Sequence, residues 1–426
     1  MTRAFEVIRD PLWDNITLDD AALSLVDSAP FQRLRYVRQL GHAFLVYPGA
    51  THSRFEHALG AYHLTKRALA MLELRGELAG IKEEDRLAVT LAALLHDVGH
   101  YPFSHALEEA GFPSHEAQGE TRLGQPPLAE HLAAIGGAGF SQRVADLIRG
   151  RSRSPLQGLI SGSLDLDKVD YLCRDSRACG VPYGIVDVDR LLASLTMVQA
   201  GPLGGRTLGV QEKGVSALES LLFAKYQMYR NVYWHHAVRS ATCMFKRAAR
   251  GAVGRRVVTL EQVARLTDDE LMHFLIEKDR NPLALAVRER RLFKRALDLP
   301  ASEVKVAQPE WSADDPDLLE QVEDRLAVDA GLAPGELLLA FPSRHSMLGV
   351  DLPLKLRDGG VERLTDEGRA GHLGLPRIAA ELYQSARRLR VFVARPVGGS
   401  LADLPAVLEL KADEVSIRLA GGATLL

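Results

Sequence analysis

Long apolar runs are missing from this chain: no stretch of its 426 residues approaches the roughly 18 apolar residues that a membrane-spanning helix needs. A hydrophobic leader core is missing too, because Arg3, Glu6, Arg9 and Asp10 occupy the first ten positions. No secretory signal is therefore expected. Cysteine is scarce. Cys173, Cys179 and Cys243 form no CxxC pair and are odd in number, which argues against a disulfide framework and for reduced thiols in a cytoplasmic protein. Neither sign of charge is in excess, since 52 Lys plus Arg face 55 Asp plus Glu for a formal net charge of −3. Binding nucleic acid by bulk charge is thus not favoured, although a local basic patch remains open. Internal repeats and low-complexity tracts are absent as well.

What is present is histidine. Nine of the 14 fall between His42 and His131, a density that core packing does not require. The length suggests two or three packed units, divided here as 1–255, a helical extension over 256–345, and 346–426. Arg86 to Val98 is almost all apolar without strand alternation, begins after Glu83-Glu84-Asp85 and stops at Gly99 and Pro102, so it reads as a buried helix. Glu56 to Leu74 and Leu218 to Arg250 carry apolar residues at helical spacing. Gly111 to Pro127 is polar with Gly and Pro and reads as a surface loop. Val198 to Lys213 reads as a hairpin turning over Gly201 to Gly205. A helical stretch with an acidic block at Asp314 to Asp329 runs to about 345. From Leu348 onwards, runs such as Val391 to Val393 and Val415 to Leu419 suggest a few strands with one helix.

The sharpest motif is His96-Asp97-Val98-Gly99-His100 at the end of the buried helix. Ionisable groups there are costly unless paired or metal-bound, and adjacent His and Asp can offer a nitrogen and an oxygen to one cation. His100 would share the face of His96 if the helical turn continued. A lone His-Asp is better explained as a helix C-terminus decorated for its dipole. Two further segments change that balance. Arg54 and His57 are neighbours on one face at the start of an earlier helix. Asp167, Tyr171 and Asp175 lie at i, i+4 and i+8 on a helix-like stretch whose Val169, Leu172 and Cys173 can face a core. A mixed His/Asp set suits Mn, Fe, Ni or Zn better than calcium. A zincin would need H-E-x-x-H, whereas Asp stands in place of Glu and Gly interrupts the helix.

The order R-x-x-H at Arg54 and His57, H-D-x-x-H at His96 to His100, and D-x-D-K-x-D-Y at Asp165 to Tyr171 resembles the HD-domain superfamily. Within it, the chain resembles the deoxynucleoside triphosphate (dNTP) triphosphohydrolases over roughly residues 9 to 300. The resemblance implies a mainly α fold, an HD-domain helical bundle with a small α+β C-terminal appendage. It implies hydrolysis of a dNTP to deoxynucleoside and inorganic triphosphate. One divalent transition metal would be held by His57, His96, Asp97 and Asp167, with Mg²⁺ accompanying the substrate phosphates. His100, His105 and His115 would act at the α-phosphate, and Glu108, where the family has Asp, would orient a histidine. Arg54 and Lys168 would neutralise phosphate charge. Tyr171 belongs to the same substrate face. Tyr233 would wall off a 2′-hydroxyl, and Gln39 and Asp175 would bond the 3′-hydroxyl. Lys225 and Tyr229 replace an Arg and a His of the family pattern, which leaves the phosphate and base contacts, and so the preferred base, open. The spacing of Lys225, Tyr229 and Tyr233 equally suits an aromatic packing stripe.

A regulatory layer is implied by the same resemblance. Asp27, Gln32 and Arg35 match a guanine-nucleotide segment at a subunit contact. Arg190, Lys213, His235, Arg290 and Lys294 match an effector-dNTP site, although Gln211 and His236 each lose a positive charge of that pattern. The expected partners are a GTP or dNTP effector and further copies of the chain, as a homotetramer or a dimer pairing into one, with no membrane. By itself, Arg290 to Lys294 would be a solvated basic face. Two rival functions use the same residues: an HD-type phosphodiesterase or nuclease, and a non-catalytic nucleotide sensor.

Overall fold

The computed structural model describes residues 5–199, 205–342, 352–364 and 374–426. The chain is mainly helical, with three small sheets among the described residues. Among the described residues, no helix is long and apolar enough to cross a membrane.

Local chemistry sets the helices that build the site. The helix Arg54–Leu74 starts at a capping box in which Glu56 accepts the Ser53 backbone N–H at 2.6 Å, satisfying a donor that the first turn leaves free. The leucine-rich helix Glu83–Leu95 has three acids in its first turn, where the helix dipole favours them. It ends at Leu95 rather than Val98, so His96 to Gly99 form a turn and His100 does not continue the helical face of His96. Gly99 lets another segment pack onto this turn: a Cβ there would lie 2.0 Å from the His115 carbonyl oxygen and 2.2 Å from the Gly119 nitrogen. The helix Leu166–Cys179 is capped by Asp165 and buries Val169, Leu172 and Cys173. It packs against the Arg54–Leu74 helix. There Gly60 lets Asp170 and Arg174 pass, since a Cβ would sit 1.8 Å from Asp170 Oδ1.

Four other segments differ from expectation. Residues 111–127 contain a helix, His115–Leu123, because Ser114 accepts the Ala117 N–H. Only Gly119 and Leu123 of that helix are buried, so no apolar period betrays it. The stretch Leu218 to Arg250 is two helices, Val215–Met228 and His236–Gly254, separated by a π-helical turn at Tyr229–Tyr233. The expected helical extension to 345 also holds the strands Lys294–Pro300 and Leu337–Ala340, which flank Arg388–Val393 in one antiparallel sheet. The 345/346 division therefore runs between strands of a single sheet. Val415 to Leu419 lies in the helix Ala412–Ala420, with only Val415 buried. The hairpin is Leu195–Gln199 paired with Arg206–Gln211; its turn at 201–204 and the expected strand start at Leu348 lie outside the described residues.

The large N-terminal core includes Leu25, Phe31, Leu59, Leu95, Val169 and Leu222. A second core gathers Tyr101, Phe103, Phe245, Leu271 and Phe392. In it His42 stacks on Phe103 at 4.3 Å with planes 3° apart, and neither ring nitrogen has a hydrogen-bond partner among the described residues. Desolvation, then the Arg38 charge, pushes His42 down to about 3. As pH falls below about 6.5, the unfolded chain takes a proton that the folded ring refuses until about pH 3, so stability is lost across that window. The loss is on the order of 5 kcal/mol at the acid end. His42→Leu should therefore lose less melting temperature than the parent between pH 7 and pH 4; equal losses would refute the argument.

Candidate active site

Three helix ends converge on one point. His57 sits on the first turn of Arg54–Leu74, His96 and Asp97 follow the last turn of Glu83–Leu95, and Asp167 stands on the first turn of Leu166–Cys179. His57 Nε2 lies 3.2 Å from His96 Nε2 and 2.8 Å from Asp167 Oδ1. His96 Nε2 is 3.3 Å from Asp97 Oδ1 and 3.5 Å from Asp167 Oδ1. The hydrogen positions follow from the partners. His96 Nδ1 faces the Ala93 carbonyl at 2.8 Å and His57 Nδ1 faces Asp170 Oδ2 at 2.7 Å. Both partners only accept, so each Nδ1 carries hydrogen, and in each neutral ring Nε2 presents a lone pair. Two lone pairs and neighbouring carboxylates at such separations form a group that could hold a cation. Donors bonded at about 2.0–2.2 Å to a first-row metal stand roughly 3.0–3.4 Å apart, and the atoms of His57, His96 and Asp97 lie close enough together to share one, with Asp167 Oδ1 beside the two imidazoles. Without metal a proton takes the place: burial opposes the charged form of His57, but Asp167 and Asp170 push it up to about 10.

The outer layer was not assigned from the sequence. Asp170 accepts from Arg174 Nε at 2.9 Å, and Arg174 Nη1 reaches Asp10 at 2.8 Å, all buried. The i, i+4 spacing of Asp170 and Arg174 was the available signal. Arg54 is buried, donating to Asp97 Oδ2 and to Ser104 Oγ. In this conformation it anchors the Asp97 carboxylate rather than facing outward. Lys168 is likewise tied to Asp165 and the Gly162 carbonyl.

His100, His105, Glu108 and His115 form a second group. Glu108 Oε1 accepts from Nδ1 of His105 and of His115, each at 3.0 Å, so Glu108 orients two imidazoles. His100 stacks on His115 at 3.9 Å with planes 12° apart. A ligated cation lies close to the plane of each imidazole, and two nearly parallel planes so separated cannot both contain one. This group is therefore suited to holding protons rather than a second metal. His100 is fully buried, with Nε2 3.1 Å from Asp97 Oδ1, and burial followed by the Arg54 and His115 charges holds it well below its usual range. It backs the site and does not front it. His105 is exposed; desolvation weighs against its charged form, weakly for so open a ring, and Glu108 raises it.

Farther along the Leu166–Cys179 helix, Asp175 accepts from Tyr233 Oη at 2.7 Å, and His52 Nε2 lies 2.7 Å from its other oxygen. Tyr233 meets Tyr229 edge-on at 5.0 Å and Tyr171 at 6.4 Å. The π-helical turn, not a regular i, i+4 stripe, sets those rings. Lys225 is buried, its Nζ 5.5 Å from the Tyr229 ring centroid. Desolvation and then Lys168 push it down to about 7. Gln39 is buried, its Oε1 without a hydrogen-bond partner among the described residues.

The expected effector residues fall into separate groups. Gln32 accepts from Arg35 Nε at 2.8 Å, with exposed Asp27 nearby in the chain. Arg190 donates to the Lys213 carbonyl at 3.1 Å. His235 caps the His236–Gly254 helix. Arg290 donates to the Leu45 carbonyl and, with Lys294, lines a surface cavity of about 890 Å³.

The buried His/Asp cluster where three helix ends meet is matched by family comparison. Residues 54–175 match the HD domain and residues 186–367 the HD associated region. The chain is thus an HD-domain protein, and the HD domain defines a superfamily of metal-dependent phosphohydrolases. An uncharacterized protein of Methanocaldococcus jannaschii is 37% identical over 293 residues, 68% of this chain and 59% of that one. The deoxynucleoside triphosphate triphosphohydrolase SAMHD1 of Bos taurus is 27% identical over 326 residues, 65% of this chain and 55% of that one. The chain thus spans little more than half the length of these curated relatives. A solved structure, a hypothetical protein from Aquifex aeolicus, superposes with a TM-score of 0.71 at 27% identity, over 92% of this chain and 97% of that one.

Proposed function

We propose that this chain hydrolyses dNTPs to deoxynucleoside and inorganic triphosphate. The observation that carries the reading is a His57/His96/Asp97 cluster able to hold a cation, with Asp167 against both imidazoles, set beside rings held by Glu108, and with the Asp175–Tyr233 pair two turns along the helix that supplies Asp167. A divalent transition metal, when bound, would polarise phosphoryl oxygen and acidify water. In the reaction a bond forms from water oxygen to the α-phosphorus and the bond to the 5′-oxygen breaks. His105, the exposed ring, is raised by Glu108 and, when protonated, is fit to give its proton to the departing 5′-oxygen. The His115–Glu108 pair takes up the proton that the water loses, with His100 steadying His115 from behind. Lys168, on leaving Asp165, and Lys225 would neutralise the phosphates, and Tyr171 and Tyr229 would flank the sugar and base. The same reading extends to a GTP or dNTP effector bound through the basic groups above in a homotetramer or dimer.

The test is to incubate metal-loaded protein with each dNTP and NTP, with and without a second nucleotide, identify the products and size the protein. Inorganic triphosphate with deoxynucleoside supports the reading. Pyrophosphate with a nucleotide monophosphate, cleavage of phosphodiesters instead, or binding without turnover would replace it with a rival. A rate and mass indifferent to every second nucleotide would remove the effector alone.

Sugar choice gives a sharper check. Tyr233→Ala opens the space beside Asp175 and should raise ribonucleotide relative to deoxyribonucleotide turnover by about tenfold or more, the effect of losing roughly 1.4 kcal/mol of discrimination. An unchanged ratio in well-folded protein would take Tyr233 out of that role.

A further inference from the structure

From the contacts of Asp175 we infer that His52 is a positioning residue for recognition of the sugar's 3′-hydroxyl, an inference that rests on the proposed function. His52 precedes the helix that carries His57, and nothing in its sequence context marks it. In the structure its Nε2 is 2.7 Å from Asp175 Oδ1, with 7% and 1% of the two side chains exposed. A carboxylate only accepts, so His52 donates through Nε2. Tyr233 donates to the other oxygen at 2.7 Å. Asp175 is therefore clamped between two donors from different segments, one on each oxygen. This sets the direction of its remaining lone pairs, which are the ones a ligand hydroxyl would meet. A carboxylate held by Tyr233 alone could turn about its side-chain bonds and lose that aim.

The neighbourhood supports a ligand role rather than simple packing. The Gln39 backbone N–H donates to the His52 carbonyl at 3.0 Å, so the chain that presents His52 also presents Gln39. Each leaves one buried polar atom, Gln39 Oε1 and His52 Nδ1, without a hydrogen-bond partner among the described residues. Unpartnered buried acceptors cost free energy unless something binds them. Gln39 Oε1, on the segment paired with His52, is left as an acceptor for a ligand donor, whereas His52 Nδ1 lies on the opposite side of the ring from Asp175. Tyr233 supplies the wall; His52 sets the acceptor.

The experiment compares a dNTP with its 2′,3′-dideoxy analogue, which lacks only the 3′-hydroxyl. In the parent protein kcat/KM should favour the dNTP by about tenfold or more, the range of a lost buried hydrogen bond. His52→Ala and His52→Asn, neither able to reach Asp175 as a donor, should shrink that preference to within about threefold, chiefly by raising KM for the dNTP. His52→Gln, which retains a donor of similar reach, should restore it. A merely structural histidine would lower turnover of both substrates alike and leave their ratio untouched. That outcome, or a parent enzyme indifferent to the 3′-hydroxyl, would overturn the inference while dNTP hydrolysis stands. Absence of turnover with every dNTP would instead count against the proposed function. If His52→Ala fails to fold, the His52→Asn and His52→Gln pair decides the question.

Discussion

Asp97→Ala is expected to abolish both tight metal binding and turnover. Asp97 is buried, provides one of the donors around His57 and His96, and also accepts from Arg54. His96, His100 and above all Arg54 hold its carboxyl well below the usual range against strong desolvation. Alanine therefore removes a ligand and strands a buried guanidinium, a destabilisation of about 3–5 kcal/mol. Asp97→Asn separates the two effects, because it keeps an oxygen for Arg54 while losing the charge. Metal content by elemental analysis should fall from about one equivalent to near none in both variants, and turnover by at least ~10³-fold. Metal-depleted Asp97→Ala protein with full activity would end the metal hypothesis. Because His57 sits at about 10 without metal, metal uptake at neutral pH must expel protons. Apparent affinity should then strengthen as pH rises towards 10, and uptake should acidify a weakly buffered solution.

Gly99→Ala should be nearly as damaging, for a purely steric reason. Its Cβ would meet the His115 carbonyl oxygen at 2.0 Å, and the nitrogen and Cα of Gly119 at 2.2 and 2.7 Å. These are backbone atoms, so no rotamer change relieves the clash. Either the turn that carries Asp97 deforms or the His115–Leu123 helix retreats and parts the His100–His115 stack. A loss of about 3 kcal/mol or more is expected, with turnover falling alongside. Gly119→Ala is the control: its Cβ would approach nothing closer than 3.7 Å, and removing a helix-interior glycine should stabilise by up to about 1 kcal/mol. Identical melting temperatures and rates for parent and Gly99→Ala would sink the argument.

The difference between those two glycines shows how far reading the chain could reach. The helix Arg54–Leu74 was legible from apolar residues at helical spacing over Glu56 to Leu74, and so was the His/Asp order along the chain. The helix His115–Leu123 was hidden, because it buries two residues and presents polar side chains. Val415 to Leu419 alternated like a strand yet lies on a helix with a single buried position. The strands Lys294–Pro300 and Leu337–Ala340 were hidden for a different reason. Their partner, Arg388–Val393, lies tens of residues away, and neither carries a local strand signal strong enough to stand alone.

By itself the sequence pointed to a mainly helical HD-domain protein, and its family resemblance named His57, His96, Asp97 and Asp167 as candidate donors, because periodicity and motif order are properties of neighbouring residues. Only the tertiary structure decided what surrounds them. It ended the helix at Leu95, turned Arg54 inward onto Asp97, put Asp170 behind His57 and His52 behind Asp175, and stacked His100 on His115. Each of these depends on a hydrogen bond or a backbone contact between segments far apart in the chain. Burial then gives those contacts their strength, and burial is created only when the helices pack.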